Sequence, residues 1–393
     1  MKFFPLTLMS STTLPDSYEG SSHVTIPNAL FDPVVGNRVY NEGLDRLELA
    51  EELGFDGVFV AEHHQSAYGM IPSPNILAAM LARRTSRMKI GVLGAALPLY
   101  GNPLRIAEEH AMIDVISGGR MISGLVMGGQ PEYYGTNINP AEARGRFREG
   151  LDLIIEAWTR PGPFPFSGQY YQPRYVNPWP LPIQKPHPPI WIPGVGSIET
   201  IKMVAERGYT YCGVPFFKRS SVEKNYAMFR QAWLDAGREP DPNSLALLTP
   251  VYVTDRDDKV RAEYEPHVWY QIRKLMQWHS GSNAPGYMSA ESTVRFVQNV
   301  GTDTMMGCQT WDDIVAGGYV IAGSPSTVAE SLAERLGAVG AGNVCLFFDF
   351  GNLSHEASVR SMTLFAEEVM PALQNEFPNG PAWAEATTKA GVA

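Results

Sequence analysis

Cysteine is scarce in this chain. Only Cys212, Cys308 and Cys345 occur in 393 residues, far apart and without a Cys-x-x-Cys spacing. That excludes a disulfide framework and a cysteine-rich zinc site, and it favours a reducing compartment. Positive charge is also in short supply: 31 Lys and Arg against 41 Asp and Glu leave a net charge of −10. A nucleic-acid partner would need clustered cations to neutralise phosphates, so none is expected. No run of like charges marks a disordered tail. No stretch approaches the roughly 18 apolar residues of a membrane span. The apolar run from Phe3 to Met9 lacks the length and cleavage site of a signal peptide and reads as a first strand, so a cytoplasmic location is expected. Several catalytic signatures are missing too: there is no Gly-x-x-x-x-Gly-Lys loop, Gly-x-Ser-x-Gly elbow or His-Glu-x-x-His helix. No lysine or carboxylate cluster at a strand end supports an aldolase-type or metal-dependent barrel, and no metal is expected.

What is present is a regular alternation of strand-like and helical patterns. The strand candidates are Lys2–Met9, Asp56–Ala61, Lys89–Pro98, Met121–Met127, Pro189–Val195, Tyr209–Pro215, Leu245–Thr254 and Asn343–Phe350. Between them, Tyr40, Leu44, Leu47 and Ala50 share one helical stripe, which Gly54 ends. Phe147, Leu151, Ile154, Ile155 and Trp158 form another. Ser326 is the expected cap of a helix carrying Val328, Leu332 and Leu336. A last helix buries Met362, Phe365, Ala366, Val369 and Met370, and Pro371 is expected to stop it. Such alternation implies parallel strands joined by right-handed crossovers, and eight units close naturally into an α/β fold of the (β/α)8 TIM-barrel type. The alternative is an open doubly wound sheet, whose glycine-rich turn is missing after Met9.

The expected organisation is one barrel over residues 1–375 with a tail at 376–393. Two segments interrupt it. Pro161 to Pro188 is a proline- and aromatic-rich surface excursion. A long insertion after strand seven, 255–323, carries Trp269, Tyr270, Trp278, Tyr287, Phe296, Trp311 and Tyr319. It reads either as a lid over the site or as a helical hairpin on the barrel wall.

Chemistry-bearing residues fall at strand ends. Val58-Phe59-Val60-Ala61-Glu62-His63-His64 is an apolar strand that ends in a carboxylate and two imidazoles. Adjacent side chains there face opposite ways, so His63 and His64 are poor joint ligands of one metal, and one of them can enter the barrel mouth to move protons. Gly194-Val195-Gly196-Ser197-Ile198-Glu199-Thr200 leads from a strand into a helix. Its free amides and hydroxyls could cradle a phosphate, although the same pattern also serves as an ordinary capped turn. Gly128-Gly129 and the small residues of Gly91–Pro98 could make room for a planar ligand. Arg144 and Arg146 stand near a helix start, from which a phosphate is within reach; Arg144 is the better candidate.

Other segments join these: Asn102-Pro103-Leu104-Arg105-Ile106-Ala107-Glu108-Glu109, Ser117-Gly118-Gly119-Arg120, Arg144-Gly145-Arg146-Phe147-Arg148-Glu149-Gly150, Pro188-Pro189-Ile190-Trp191-Ile192, Gly323-Ser324-Pro325-Ser326-Thr327 and Phe365-Ala366-Glu367-Glu368-Val369-Met370-Pro371. In order and spacing, from Phe3 to Leu373, they resemble the bacterial luciferase-like flavin monooxygenases, which are FMN-linked TIM barrels. The resemblance implies reduced FMN supplied by a separate flavin reductase, and O2 activation through a C4a-hydroperoxyflavin. It also implies oxygenation of a small apolar or carbonyl-containing substrate, and a homodimer whose surface Ile76, Leu77, Met80 and Leu81 could join, although the same residues would equally serve the barrel wall. His63 and His64 match the catalytic histidine and its neighbour. Ser197 and Thr200, with Gly196, Ile198 and Arg144, match the phosphate site, and Met127 and Gly128 the strand-four end of the flavin site. Leu93–Gly94 matches a non-prolyl cis peptide beneath the flavin ring. Luciferase carries a reactive cysteine and a phosphate-binding arginine where this chain has Val126 and Met127, which implies modest affinity for oxidised FMN. An F420-dependent hydride-transfer enzyme and a non-catalytic flavin binder are the alternatives.

Overall fold

The computed structural model describes residues 1–277 and 303–383, and between them residues 284, 286–288, 290 and 294. Its centre is a ring of parallel strands. β1 (Lys2–Thr7), β2 (Gly57–Val60), β3 (Lys89–Ala96), β4 (Met121–Val126), β5 (Ile190–Gly194), β6 (Thr210–Gly213) and β7 (Leu245–Val253) pair in that order. β9 (Asn343–Phe347) then pairs with both β7 and β1 and closes the ring, which excludes the open sheet. All eight expected strands are present, trimmed mainly where the chain leaves the barrel at its C-terminal rim. A ninth, β8 (Ile321–Gly323), was not expected. It lies outside the ring and pairs only with Val251–Val253 of β7.

Among the described residues, eight helices cover the ring: α1 (Pro33–Glu52), α2 (Pro74–Arg84), α3 (Leu104–Ser117), α4 (Ala143–Thr159), α5 (Ile198–Arg207), α6 (Arg219–Asp235), α7 (Pro325–Val339) and α8 (His355–Leu364). Their apolar stripes meet the outer face of the strands; Leu44, Leu47, Leu151, Ile154, Val328 and Leu332 are all buried there. Inside the ring, side chains fill the barrel rather than leaving a pore. Phe4, Phe59 and Trp191 pack against one another with centroids 4.9–5.4 Å apart.

Several expectations need correction. Ser324, not Ser326, caps α7, with its Oγ accepting from the Thr327 amide. Pro371 does not stop the last helix. The chain passes through a π turn at Phe365–Val369, and Pro371 sits in the first turn of a new helix, Met370–Glu376, where its missing N–H costs nothing. Leu77 and Leu81 are buried in the core, which leaves Ile76 and Met80 as the exposed apolar residues of α2. Gly91 does not open space for a ligand: a Cβ there would collide with the Phe59 ring. The Leu93–Gly94 peptide is cis, and the β3–β4 ladder slips there, with Val92 opposite Ser123 and Ala95 opposite Leu125. A Cβ on Gly94 would lie 3.0 Å from the Gly124 carbonyl carbon of β4, so this glycine allows two backbones to approach.

The 161–188 excursion has no helix or strand, only a bridge between Phe164 and Val176. The described parts of the insertion dock on loops at the barrel mouth. Leu14 N donates to Tyr270 Oη at 2.8 Å, and Ser22 Oγ to the Leu275 carbonyl at 2.6 Å. Gly351 N donates to Gln271 Oε1 at 3.1 Å, Tyr287 Oη to the Gly128 carbonyl at 2.9 Å, and Lys218 N to the Asp303 carbonyl at 2.9 Å. Trp278, Phe296 and the tail beyond residue 383 lie outside the described residues. Among the described residues no helix is long and apolar enough to cross a membrane.

Candidate active site

The two histidines stand three and four residues beyond the end of β2, and each is held by a different carboxylate. His63 Nδ1 lies 3.0 Å from Glu132 Oε1. Glu132 sits on the short 3-10 turn that follows β4 and is almost fully buried. The same carboxylate accepts from the His64 amide at 3.1 Å and from the Gly129 amide at 2.6 Å. Burial alone would raise its pKa; the His63 ring and the two amides outweigh burial and hold it below the usual carboxylate value. An ionised Glu132 fixes the proton of His63 on Nδ1, so Nε2 is the nitrogen available for a reaction. Glu132 was missed from sequence, although it is the third residue after the glycine pair.

His64 turns the other way. Its Nε2 lies 2.7 Å from Glu62 Oε1, and that hydrogen bond lifts its pKa against the effect of burial. Glu62 also accepts from Tyr100 Oη at 2.8 Å and from the Ala96 amide at 3.3 Å, which ties the end of β2 to the end of β3. The expectation that the two imidazoles point apart is met.

Two further rings complete the His63 side. His23, on the loop after β1, stacks on Tyr68 at 5.0 Å and meets His63 edge-on at 6.0 Å; Tyr68 meets His63 at 4.9 Å. Burial, helped by the neighbouring His63, pushes the His23 pKa down to about 3, so this ring is neutral near pH 7. Nothing local in the sequence marks His23, because it is 40 positions from the ring it supports.

The second cluster lies where β5 enters α5. Gly196 takes φ +93°, which only glycine adopts easily. Ser197 caps α5: its hydroxyl contacts Thr200 Oγ1 at 2.8 Å and accepts weakly from the Thr200 amide at 3.4 Å. Ile198 is exposed. Arg144, in the first turn of α4, brings Nη1 to 3.9 Å from Glu199 in the first turn of α5. The structure therefore draws Arg144 towards the Ser197 turn. Arg146 is occupied elsewhere, paired with Glu142 at 2.8 Å and lying over Tyr170. Start of α7 repeats the Ser-x-x-Thr turn, but there Asp257 fills the place of an anion: Ser324 N and Thr327 Oγ1 donate to its carboxylate at 2.6 and 3.0 Å.

At the end of β4, Met127 packs against the core and its carbonyl accepts from Tyr133 Oη at 2.5 Å. Gly128 has φ +83° and takes the Tyr287 hydroxyl on its carbonyl. Tyr287 also stacks edge-on against Tyr133 at 5.5 Å.

The sequence matches the luciferase-like monooxygenase family over residues 21–341. The oxygenase component of a flavin-dependent trigonelline monooxygenase from Acinetobacter baylyi is 25% identical over 244 residues, 61% of this chain and 66% of that protein. Among solved structures, monooxygenase RslO1 from Streptomyces bottropensis superposes with a TM-score of 0.73 at 25% identity, covering 94% of this chain and 99% of that one. The oxygenating constituent of 3,6-diketocamphane monooxygenase from Pseudomonas putida, solved with FMN, has a TM-score of 0.64 at 20% identity over 85% and 94% of the two chains. An F420-dependent secondary alcohol dehydrogenase reaches 0.64 at 17% identity over 95% and 99%. These last two likenesses concern the fold alone.

Proposed function

This chain belongs to the luciferase-like monooxygenase family, and from that premise we propose that it is the oxygenase component of a two-component system using reduced FMN and O2. The observation that carries the reading is the pairing, at the mouth of one closed barrel, of a carboxylate-held imidazole with a helix start that offers hydroxyls and a nearby arginine.

The residues present fit FMN. Ser197, Thr200, the amides of the first turn of α5 and Arg144 would hold its phosphate. The contrast with α7, whose equivalent turn is already satisfied by Asp257, supports α5 as the anion site. Gly196, Gly128 and the Leu93–Gly94 peptide would border the rest of the cofactor. Reduced FMN would supply the two electrons needed to reduce O2, with one oxygen atom passing to the substrate and the other to water. His63 would hold or deliver a proton through Nε2, and Glu132 would fix its tautomer. His64 would secure Glu62 and with it the β2–β3 rim. The insertion, through Tyr287, would act as a lid that keeps water out.

A separate reductase is the expected electron donor, and a small organic molecule the substrate. Ile76 and Met80 on α2, with Met112, Val115 and Ile116 on α3, form an exposed apolar face that supports a homodimer. Thermal denaturation without oxygen tests the cofactor. Reduced FMN at a hundredfold excess over Kd should raise the melting temperature by about 3–6 °C, and reduced F420 should leave it unchanged. A shift with F420 alone would replace this reading with hydride transfer. With FMN bound, oxygen uptake no faster than that of free reduced flavin would make the chain a non-catalytic binder.

A further inference from the structure

The loop after β1 and the segment beyond β2 enclose a cleft of about 550 Å³, and His63 forms part of its wall. We propose that this cleft is the site of the organic substrate, and that the substrate is a neutral, largely apolar molecule of roughly 10–20 non-hydrogen atoms. The inference rests on the monooxygenase reading for the word substrate, but the site itself is argued from the walls.

Those walls are selective. Leu14, Ile26, Leu30, Phe31 and Met70 supply apolar surface, while Ser11, Asn28 and Ser66 add uncharged polar atoms. Among the described residues no Asp, Glu, Lys or Arg lines the cleft, in a chain with 31 Lys and Arg and 41 Asp and Glu. An ion entering it would lose hydration without meeting a countercharge; a neutral molecule would not. The polar atoms are enough to orient one carbonyl or hydroxyl group. A cleft of about 710 Å³ elsewhere has the opposite character, being lined by Lys218, Arg219, Glu223 and Asp313, and no residue from the ends of β1 or β2 reaches it.

The backbone around the cleft is held against its own preference. Val24 (φ +60°) and Gln65 (φ +48°) both line it in left-handed conformations, which are unfavourable for a β-branched residue above all. The Val24 amide donates to the Gln65 carbonyl at 2.6 Å, beside the bridge between His23 and Ser66. Strain of this kind persists where surroundings impose a shape, and it clusters at ligand sites. Here the shape it maintains is a wall that ends on the reactive imidazole.

Fluorescence titration of the full chain with 6-propionyl-2-(dimethylamino)naphthalene, a neutral aryl ketone whose emission shifts in apolar surroundings, tests the site. The wild type should bind it with a blue shift. 2-Acetonaphthone should displace it at least about tenfold better than 2-naphthoate. Ile26→Trp, which fills the cleft, and Phe31→Glu, which charges its rim, should each weaken the probe about tenfold and leave reduced-FMN affinity unchanged. Both positions are at least partly exposed, so the fold should survive, and the FMN titration checks that it does. Unchanged probe affinity in both variants, no binding by the wild type, or naphthoate binding as tightly as the ketone would each overturn the proposal. Probe binding that depends on the cleft in a chain that ignores FMN would uphold the apolar site and instead refute the monooxygenase reading.

Discussion

At the scale of single residues, Glu132 is the group that holds His63 in place. It accepts one bond from a ring and two from amides while nearly fully buried. Glu132→Gln keeps the volume but removes the charge that fixes the His63 tautomer. We expect it to lower kcat by about 10- to 100-fold with little change in reduced-FMN affinity. Glu132→Ala should also destabilise the fold by about 2–3 kcal/mol, because it strands buried donors. Product formation and urea denaturation measure the two effects separately; equal activity in Glu132→Gln would remove the carboxylate from the mechanism. A second prediction concerns acid. Burial pushes His110, which bonds Ser123 and Asn75, down to about 3. The unfolded chain therefore takes up a proton below pH 6.5 that the folded chain refuses until near 3. Stability present above pH 6.5 is lost as pH falls through that window. His23 acts with the same sign. His64, raised by Glu62, has the opposite sign, contributing below its unfolded pKa and losing that contribution as pH rises through the folded one. In denaturation at pH 7.5 and 5.0, His110→Gln should shrink the loss between the two by about 2 kcal/mol; an undiminished loss would contradict the assignment. His63, His64 and Ser197 were legible because each ends or starts an element whose pattern is visible. Glu132 and His23 were not, because only the closed barrel brings them to His63.

At the scale of elements, two helix starts with the same Ser-x-x-Thr turn behave differently. α7 is satisfied internally by Asp257, whose carboxyl is held below its usual value by the Ser324 amide and the Thr327 hydroxyl. Asp257→Ala should lower the melting temperature by about 1–3 °C and leave reduced-FMN affinity as it was. A tenfold loss of FMN affinity in that variant would move the phosphate away from α5. Periodicity located every barrel strand, since an alternating or continuous apolar run of four or more residues is visible in sequence. It missed β8, whose three residues are too few to show a period. Pro371 misled because the same residue that ends one helix is well suited to the first turn of the next. The small residues of β3 pointed to empty space, but side-chain volume in one strand says nothing about the ring that its neighbour places there.

At the scale of the whole molecule, closure of the ring was legible and the insertion was not. Eight strand–helix units leave few alternatives, whereas the insertion has no period of its own and is positioned by contacts with the loops after β1, β4, β6 and β9. Closure matters for function because it sets the imidazole after β2 and the helix start after β5 on the same C-terminal rim of the barrel. The most direct measurement of that claim compares reduced FMN with reduced riboflavin, which lacks the phosphate, in anaerobic binding titrations. In the wild type FMN should bind at least about tenfold more tightly. In the Ser197→Ala, Thr200→Val double variant that preference should vanish while riboflavin affinity stays the same. Equal affinity for both flavins in the wild type, or a preference that survives in the variant, would contradict it.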